Sequence, residues 1–147
     1  MKKQILILAL VLVGITGSSF ATGTPDVNKY AERSFNQQFA GAHDAKWEDC
    51  KTFVKVSFEM ENQSLFAYYS NNGELLGVSR YISTTQLPVQ LLITLKKQYS
   101  GYWISDLFEV HVNDDTSYYV TVENGSQKKV LKSYDSVGWG LFRTIAK

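Results

Sequence analysis

Cysteine, proline and histidine are scarce in this chain of 147 residues, which has one Cys, two Pro and two His. Cys50 has no partner in the sequence, so no internal disulfide can brace the fold. Packing must hold it together, in keeping with nine Tyr, eight Phe and three Trp. Cys-x-x-Cys, His-x-x-x-His, calcium-loop spacings and phosphate-cradling glycine loops are all missing, which leaves no recognisable metal or cofactor site. Covalent hydrolysis needs a nucleophile, a base and an orienting group, and the only imidazoles are His43 and His111. There is no Gly-x-Ser-x-Gly elbow, and Cys50 lacks the local signatures of thiol peptidases. We therefore expect no enzyme, no cofactor and no bound metal. His43 is expected in a solvated loop and His111 on an exposed strand face. Cys50 reads as a small, partly buried side chain, and Asn113-Asp114-Asp115 as a turn.

A strong charge of either sign is also lacking. Without Lys2 and Lys3, 13 basic residues face 14 acidic ones, which leaves no electrostatic footprint for nucleic acid or an anionic membrane. The one long apolar run spans residues 5–15, too short for a comfortable membrane span. With Lys2-Lys3 before it and Ser19-Phe20-Ala21 after it, it has the three parts of a secretory signal over residues 1–21. The expected product is residues 22–147, periplasmic or secreted, with no stable membrane anchor once the signal is removed. That length suits one domain with a real core.

What is present repeats. Thr24-Pro25 reads as a helix start, and Val27, Ala31, Phe35 and Phe39 recur every four residues, predicting a helix over 25–39 that Gly41 stops. Thr85 precedes Leu87-Pro88, and Leu87, Leu91, Leu95 and Tyr99 repeat that stripe before Gly101 ends it. A tryptophan follows each helix, Trp47 and then Trp103. Alternation predicts strands over 53–60, 65–70, 75–82, 103–112, 118–123, 129–134 and 140–145, with Asn71-Asn72-Gly73 and Asn113-Asp114-Asp115 as turns. The Ser136-Val137-Gly138 turn has valine where the first copy has asparagine, so its geometry stays open. Helix then strands, twice, gives an α+β class: a tandem repeat of helix plus antiparallel strands over about 24–82 and 83–147. Both helices should pack on one face of a mostly antiparallel sheet.

The other face then becomes the functional question. If Val54, Val56 and Phe58 point to the helices, Phe53, Lys55 and Ser57 point away. The same alternation assigns Leu75, Ser79 and Tyr81 to one side of their strand, and Trp103, Ser105, Leu107, Glu109 and His111 to one side of the long strand. It buries Tyr118, Val120 and Val122 and leaves Tyr119, Thr121 and Glu123 outward. Rigid aromatics among hydroxyls and a few charges suit a protein-binding surface, although aromatic cross-strand pairs also stabilise sheets without any ligand.

The order of Ala45-Lys46-Trp47, an alternating strand, Ala67-Tyr68-Tyr69-Ser70-Asn71-Asn72-Gly73, then Leu87-Pro88 opening a helix that closes at Tyr99-Ser100-Gly101 resembles the PepSY-like, β-lactamase-inhibitor-protein-like (BLIP-like) secreted bacterial proteins. The resemblance spans nearly all of residues 22–147. It implies a tandem repeat with a joined, concave sheet able to clasp a protein, in a group associated with restraint of peptidases and other enzymes. No inhibitory residue set carries over, because the shared motifs build the fold.

The expected function is an exported, non-catalytic module that binds a protein partner, such as an extracytoplasmic peptidase or other envelope enzyme, by stoichiometric contact. Candidate contact residues are Phe53, Tyr81, Trp103 and Tyr119. Two alternatives stand beside it: a carrier of a small hydrophobic or peptide ligand, which needs an enclosed apolar cavity, and an envelope component that self-associates through strand edges.

Overall fold

The computed structural model describes residues 28–146. The expected signal segment and the Thr24-Pro25 helix start lie outside the described residues. Helix α1 (Lys29–Gln38) precedes strands β1 (His43–Asp49), β2 (Phe53–Met60), β3 (Gln63–Ser70) and β4 (Leu75–Tyr81). A 3-10 turn at Thr84–Gln86 leads into α2 (Val89–Gln98), then β5 (Trp103–Val112), β6 (Asp115–Glu123), β7 (Lys128–Ser133) and β8 (Trp139–Ile145). The strands follow chain order in one eight-stranded sheet, so the α+β tandem repeat of helix plus antiparallel strands is present. The chain divides into two compact units, one ending at Ser79 and the other beginning at Arg80.

In the first unit, Asn28 caps α1 by accepting from the backbone N–H groups of Tyr30 and Ala31 at 3.0 and 3.2 Å, satisfying two donors that the first turn leaves unpaired. Of the predicted stripe, Val27 lies outside the described residues; Ala31 and Phe35 are buried against Val54, Val56, Phe58, Ala67 and Tyr69, and Phe39 packs partly buried beside them. Phe35 meets Phe58 and Trp47 edge-on at 4.9 and 5.3 Å, a geometry that suits ring quadrupoles. Trp47 sits in β1, a strand absent from the sequence expectation. His43 opens that strand rather than lying in a loop. Asn71-Asn72-Gly73 makes the β3–β4 turn, where Gly73 takes φ +82° and a Cβ would meet the Tyr30 carbonyl oxygen at 2.6 Å. Only glycine fits there.

In the second unit, Leu87, Leu91 and Leu95 bury against Leu107, Val120, Val122 and Leu131. The Trp139 indole N–H donates to the Leu91 carbonyl at 2.8 Å and ties β8 to α2. The β7–β8 turn, left open by its valine, is set by Asp135, whose Oδ1 accepts from the N–H groups of Val137 and Gly138, both at 2.8 Å. Those bonds hold the carboxyl below the usual aspartate range.

One register shift changes which side chains face the helix. In the β5–β6 ladder Trp103 faces Glu123 and Ile104 faces Val122, but then Asp106 faces Thr121 and Leu107 faces Val120. The irregularity at Ser105 resets the alternation, as β-bulges do. Leu107, expected beside Trp103, instead enters the helix-side core. Asp106, Phe108 and Val110 join Trp103 on the helix-free face.

Candidate functional site

The helix-free face of each unit is built by the same register that makes the core. In the first unit, β2 and β3 pair Phe53 with Ser70, Lys55 with Tyr68, Ser57 with Phe66 and Glu59 with Ser64. Phe53 is only 4% exposed, with its ring 6.2 Å from that of Tyr68. The Tyr68 hydroxyl is hydrogen-bonded to Ser79 at 3.1 Å, so this corner of the face is packed and satisfied. Toward β1 the surface opens into a shallow cleft of about 190 Å³ lined by Asp44, Lys46, Ser57, Glu59, Ser64 and Phe66 among others. That is below the roughly 300–1,000 Å³ of small-ligand sites. Its polar rim is internally bonded, with the Ser64 hydroxyl donating to Glu59.

In the second unit, Trp103, Asp106, Phe108 and Val110 on β5 share a face with Glu123, Thr121, Tyr119 and Ser117 on β6. Through β7 and β8 the face continues with Lys132, Val130 and Arg143. Much of it is buried. Tyr119 is 3% exposed, its ring edge-on to Phe142 at 5.6 Å, and Lys132 places its ammonium 5.3 Å from the Tyr119 ring centroid. Burial pushes the Tyr119 phenol up to about 12 and lowers the Lys132 ammonium below the usual lysine value. Three large rings here are more than half exposed: Tyr81 at 57% and Trp103 at 54%, and at the β7–β8 end Tyr134 at 75%, its ring standing over Gly140. The Tyr81 ring lies tilted against that of Phe108, centroids 4.2 Å apart, which holds it in place on the face.

The four expected contact residues thus divide. Tyr81 and Trp103 present surface on the second unit. Phe53 and Tyr119 are interior side chains of the helix-free layer, a correction to the outward position alternation gave them. Alternation tells which face a residue occupies and says nothing of whether aromatic neighbours on that face bury it. The residues that sequence reasoning missed are Phe108, Lys132 and Phe142. The bulge at Ser105 hid the first, and the cross-strand register that joins the other two to Tyr119 could be read only by fixing every turn length.

The titratable groups elsewhere are arranged as structure. Glu109 binds the Arg80 guanidinium at 2.6 Å and the His111 ring at 3.3 Å, and Thr116 bonds the other His111 nitrogen at 2.9 Å. Burial and the Glu48 charge push the Cys50 thiol up to about 11, so it carries little nucleophilic thiolate at neutral pH. Among the described residues no group of three or more His, Cys, Asp or Glu is placed to hold a metal ion. No described helix is long and apolar enough to cross a membrane.

No family model matches the chain, and no curated protein matches its sequence. Solved structures do match. A BLIP-like protein from Bacteroides fragilis superposes with a TM-score of 0.67 at 18% identity, covering 90% of this chain and 89% of its own. A DUF2874 family protein from Bacteroides ovatus gives 0.70 at 16% identity, covering 84% and 89%. A protein from Bacteroides eggerthii, provisionally assigned to the periplasm, gives 0.70 at 12% identity, also covering 84% and 89%. At these identities the likeness is one of fold: the chain is a structural match to BLIP-like and DUF2874 proteins of Bacteroides.

Proposed function

We propose that the chain is an exported, non-catalytic module that binds a protein, and that it restrains an extracytoplasmic peptidase or other envelope enzyme by stoichiometric contact. The observation that carries this is the pair of open rings, Tyr81 and Trp103, on the helix-free face of the second unit, each more than half exposed. Exposing two large amphipathic rings on a rigid sheet forgoes burial that would otherwise stabilise the fold, and such rings are what interface anchors are made of. The BLIP-like fold supports the inhibitory reading, and the likeness to a protein provisionally assigned to the periplasm supports export. Bonded rims and buried rings elsewhere on the helix-free faces leave little for chemistry to use.

The test is capture of the partner from the cell envelope with the secreted form of the protein, followed by titration of that partner against Trp103→Ala and Tyr81→Ala. Both variants should stay folded and bind at least about tenfold more weakly, as interface anchors do. Unchanged affinity in both, with melting temperatures intact, removes the face from the interface.

A further inference from the structure

Each unit seats a lysine over an aromatic ring on its helix-free face, in the strand next to the one that ends the sheet. In the first unit Lys55 on β2 lies opposite Tyr68 on β3 and opposite Glu48 on β1. Its ammonium sits 5.2 Å from the Phe66 ring centroid and 3.4 Å from Glu48 Oε2. The ring and the carboxylate together compensate the charge. In the second unit Lys132 on β7 lies opposite Tyr119 on β6 and opposite Gly140 on β8. The ring is there, 5.3 Å away, but the carboxylate is not. Among the described residues Lys132 has no acidic side chain within ion-pair distance.

The position that supplies the counter-charge in the first unit is closed to one in the second. A Cβ on Gly140 would lie 1.9 Å from the Tyr134 ring, so while that ring stands there β8 can offer no side chain opposite Lys132. The acidic groups sharing this face are Asp106 and Glu123, toward its other end, and Glu123 is taken by Lys128 at 2.8 Å. Around Lys132 stand the rings of Tyr119 and, over Gly140, Tyr134, with Phe142 edge-on to Tyr119 and Arg143 across from Val130, and no carboxylate among them. A half-buried ammonium with a ring on one side and no carboxylate is poorly compensated, and the lowered Lys132 proton affinity fits that setting.

We propose that the partner supplies the missing carboxylate: the β7–β8 end of the second unit docks an acidic side chain of a protein onto Lys132, with an adjoining apolar side chain against Phe142. This deepens the protein-binding reading and rests on it. The paired Lys55 of the first unit is the internal reference for what Lys132 lacks.

The test uses displayed random dodecapeptides, selected in parallel on the parent protein and on Lys132→Met. Parent-selected sequences should concentrate Asp or Glu next to an apolar residue. A synthetic peptide of that sequence should move the backbone amide resonances of residues 119, 132 and 140–142, and bind Lys132→Met roughly tenfold more weakly. Its Asn or Gln counterpart should lose the same factor on the parent, and Lys132→Arg should keep most of the binding. Lys132→Met should melt no lower than the parent, because it removes an uncompensated charge. Selection of peptides without an acid, or equal binding to parent and Lys132→Met, overturns the carboxylate site. If the selected peptides instead lose affinity with Trp103→Ala and not with Lys132→Met, the protein-binding reading stands and this deepening falls. A selection that returns no binder counts against both.

Discussion

Gly73 and Cys50 show how single residues constrain this molecule, one through space and one through charge. Gly73 combines φ +82° with a Tyr30 carbonyl oxygen 2.6 Å from where a Cβ would be. Gly73→Ala should therefore cost at least about 2 kcal/mol, from the left-handed conformation plus the clash with backbone that cannot swing aside. Chemical denaturation measures it, and a loss below half that would mean the turn relaxes freely. Cys50 should be slow to alkylate. Burial first, and the Glu48 charge second, raise its thiol to about 11, and a raised acid has its neutral form favoured by the fold. Its iodoacetamide rate at pH 8 should thus lie well below that of an unfolded thiol and climb with an apparent pKa of about 11. The linked stability is unaffected below the ordinary thiol value of 9.0 and falls as pH rises from there through about 11, because the unfolded chain ionises first. A rate profile centred near 9 would contradict the burial of this thiol.

The helices were the most legible elements, and the bulge the least. The four-residue stripes of Ala31 and Phe35, and of Leu91 and Leu95, placed both helices because burying one stripe on a sheet is the only way these sequences can remove it from water. At the described start of α1, Asn28 holds the first N–H groups and also donates to the Asn71 carbonyl at 3.0 Å, tying the helix to the hairpin. Asn28→Ala should cost about 1–2 kcal/mol, read as a lower melting temperature. Leu91→Ala should cost more, about 2–5 kcal/mol, because it empties a fully buried site beneath α2. Equal losses for the two would say that the cap carries tertiary weight beyond its hydrogen bonds. Strand β1 escaped notice because His-Asp-Ala-Lys-Trp-Glu-Asp has no alternation. It is an edge strand exposed along nearly its whole length, with charges that discourage further pairing. In β5 the alternation itself misled. One extra residue near Ser105 turned Leu107 inward and Phe108 outward, and no local signal marks where a strand will bulge.

At the scale of the whole molecule, the sequence carried the tandem α+β plan, because helix stripes, alternating strands and glycine turns all point to it together. It carried only part of the candidate surface. Four rings were expected to face outward, and two of them, Phe53 and Tyr119, serve as packing for the helix-free layer, while Tyr81 and Trp103 remain open. The distinction depends on neighbours from other strands: Tyr68 beside Phe53, and Phe142 with Lys132 beside Tyr119. The two copies share their means of burying helices and differ where they meet solvent. Binding of a protein through the second unit's open rings is the central claim. Its most direct measurement is the affinity of the envelope partner for the double variant Tyr81→Ala/Trp103→Ala, with the melting temperature recorded alongside. The expected result is a loss of about thirtyfold or more at nearly unchanged stability, the signature of two interface anchors removed from a fold that does not need them. Full affinity in a folded double variant would contradict it.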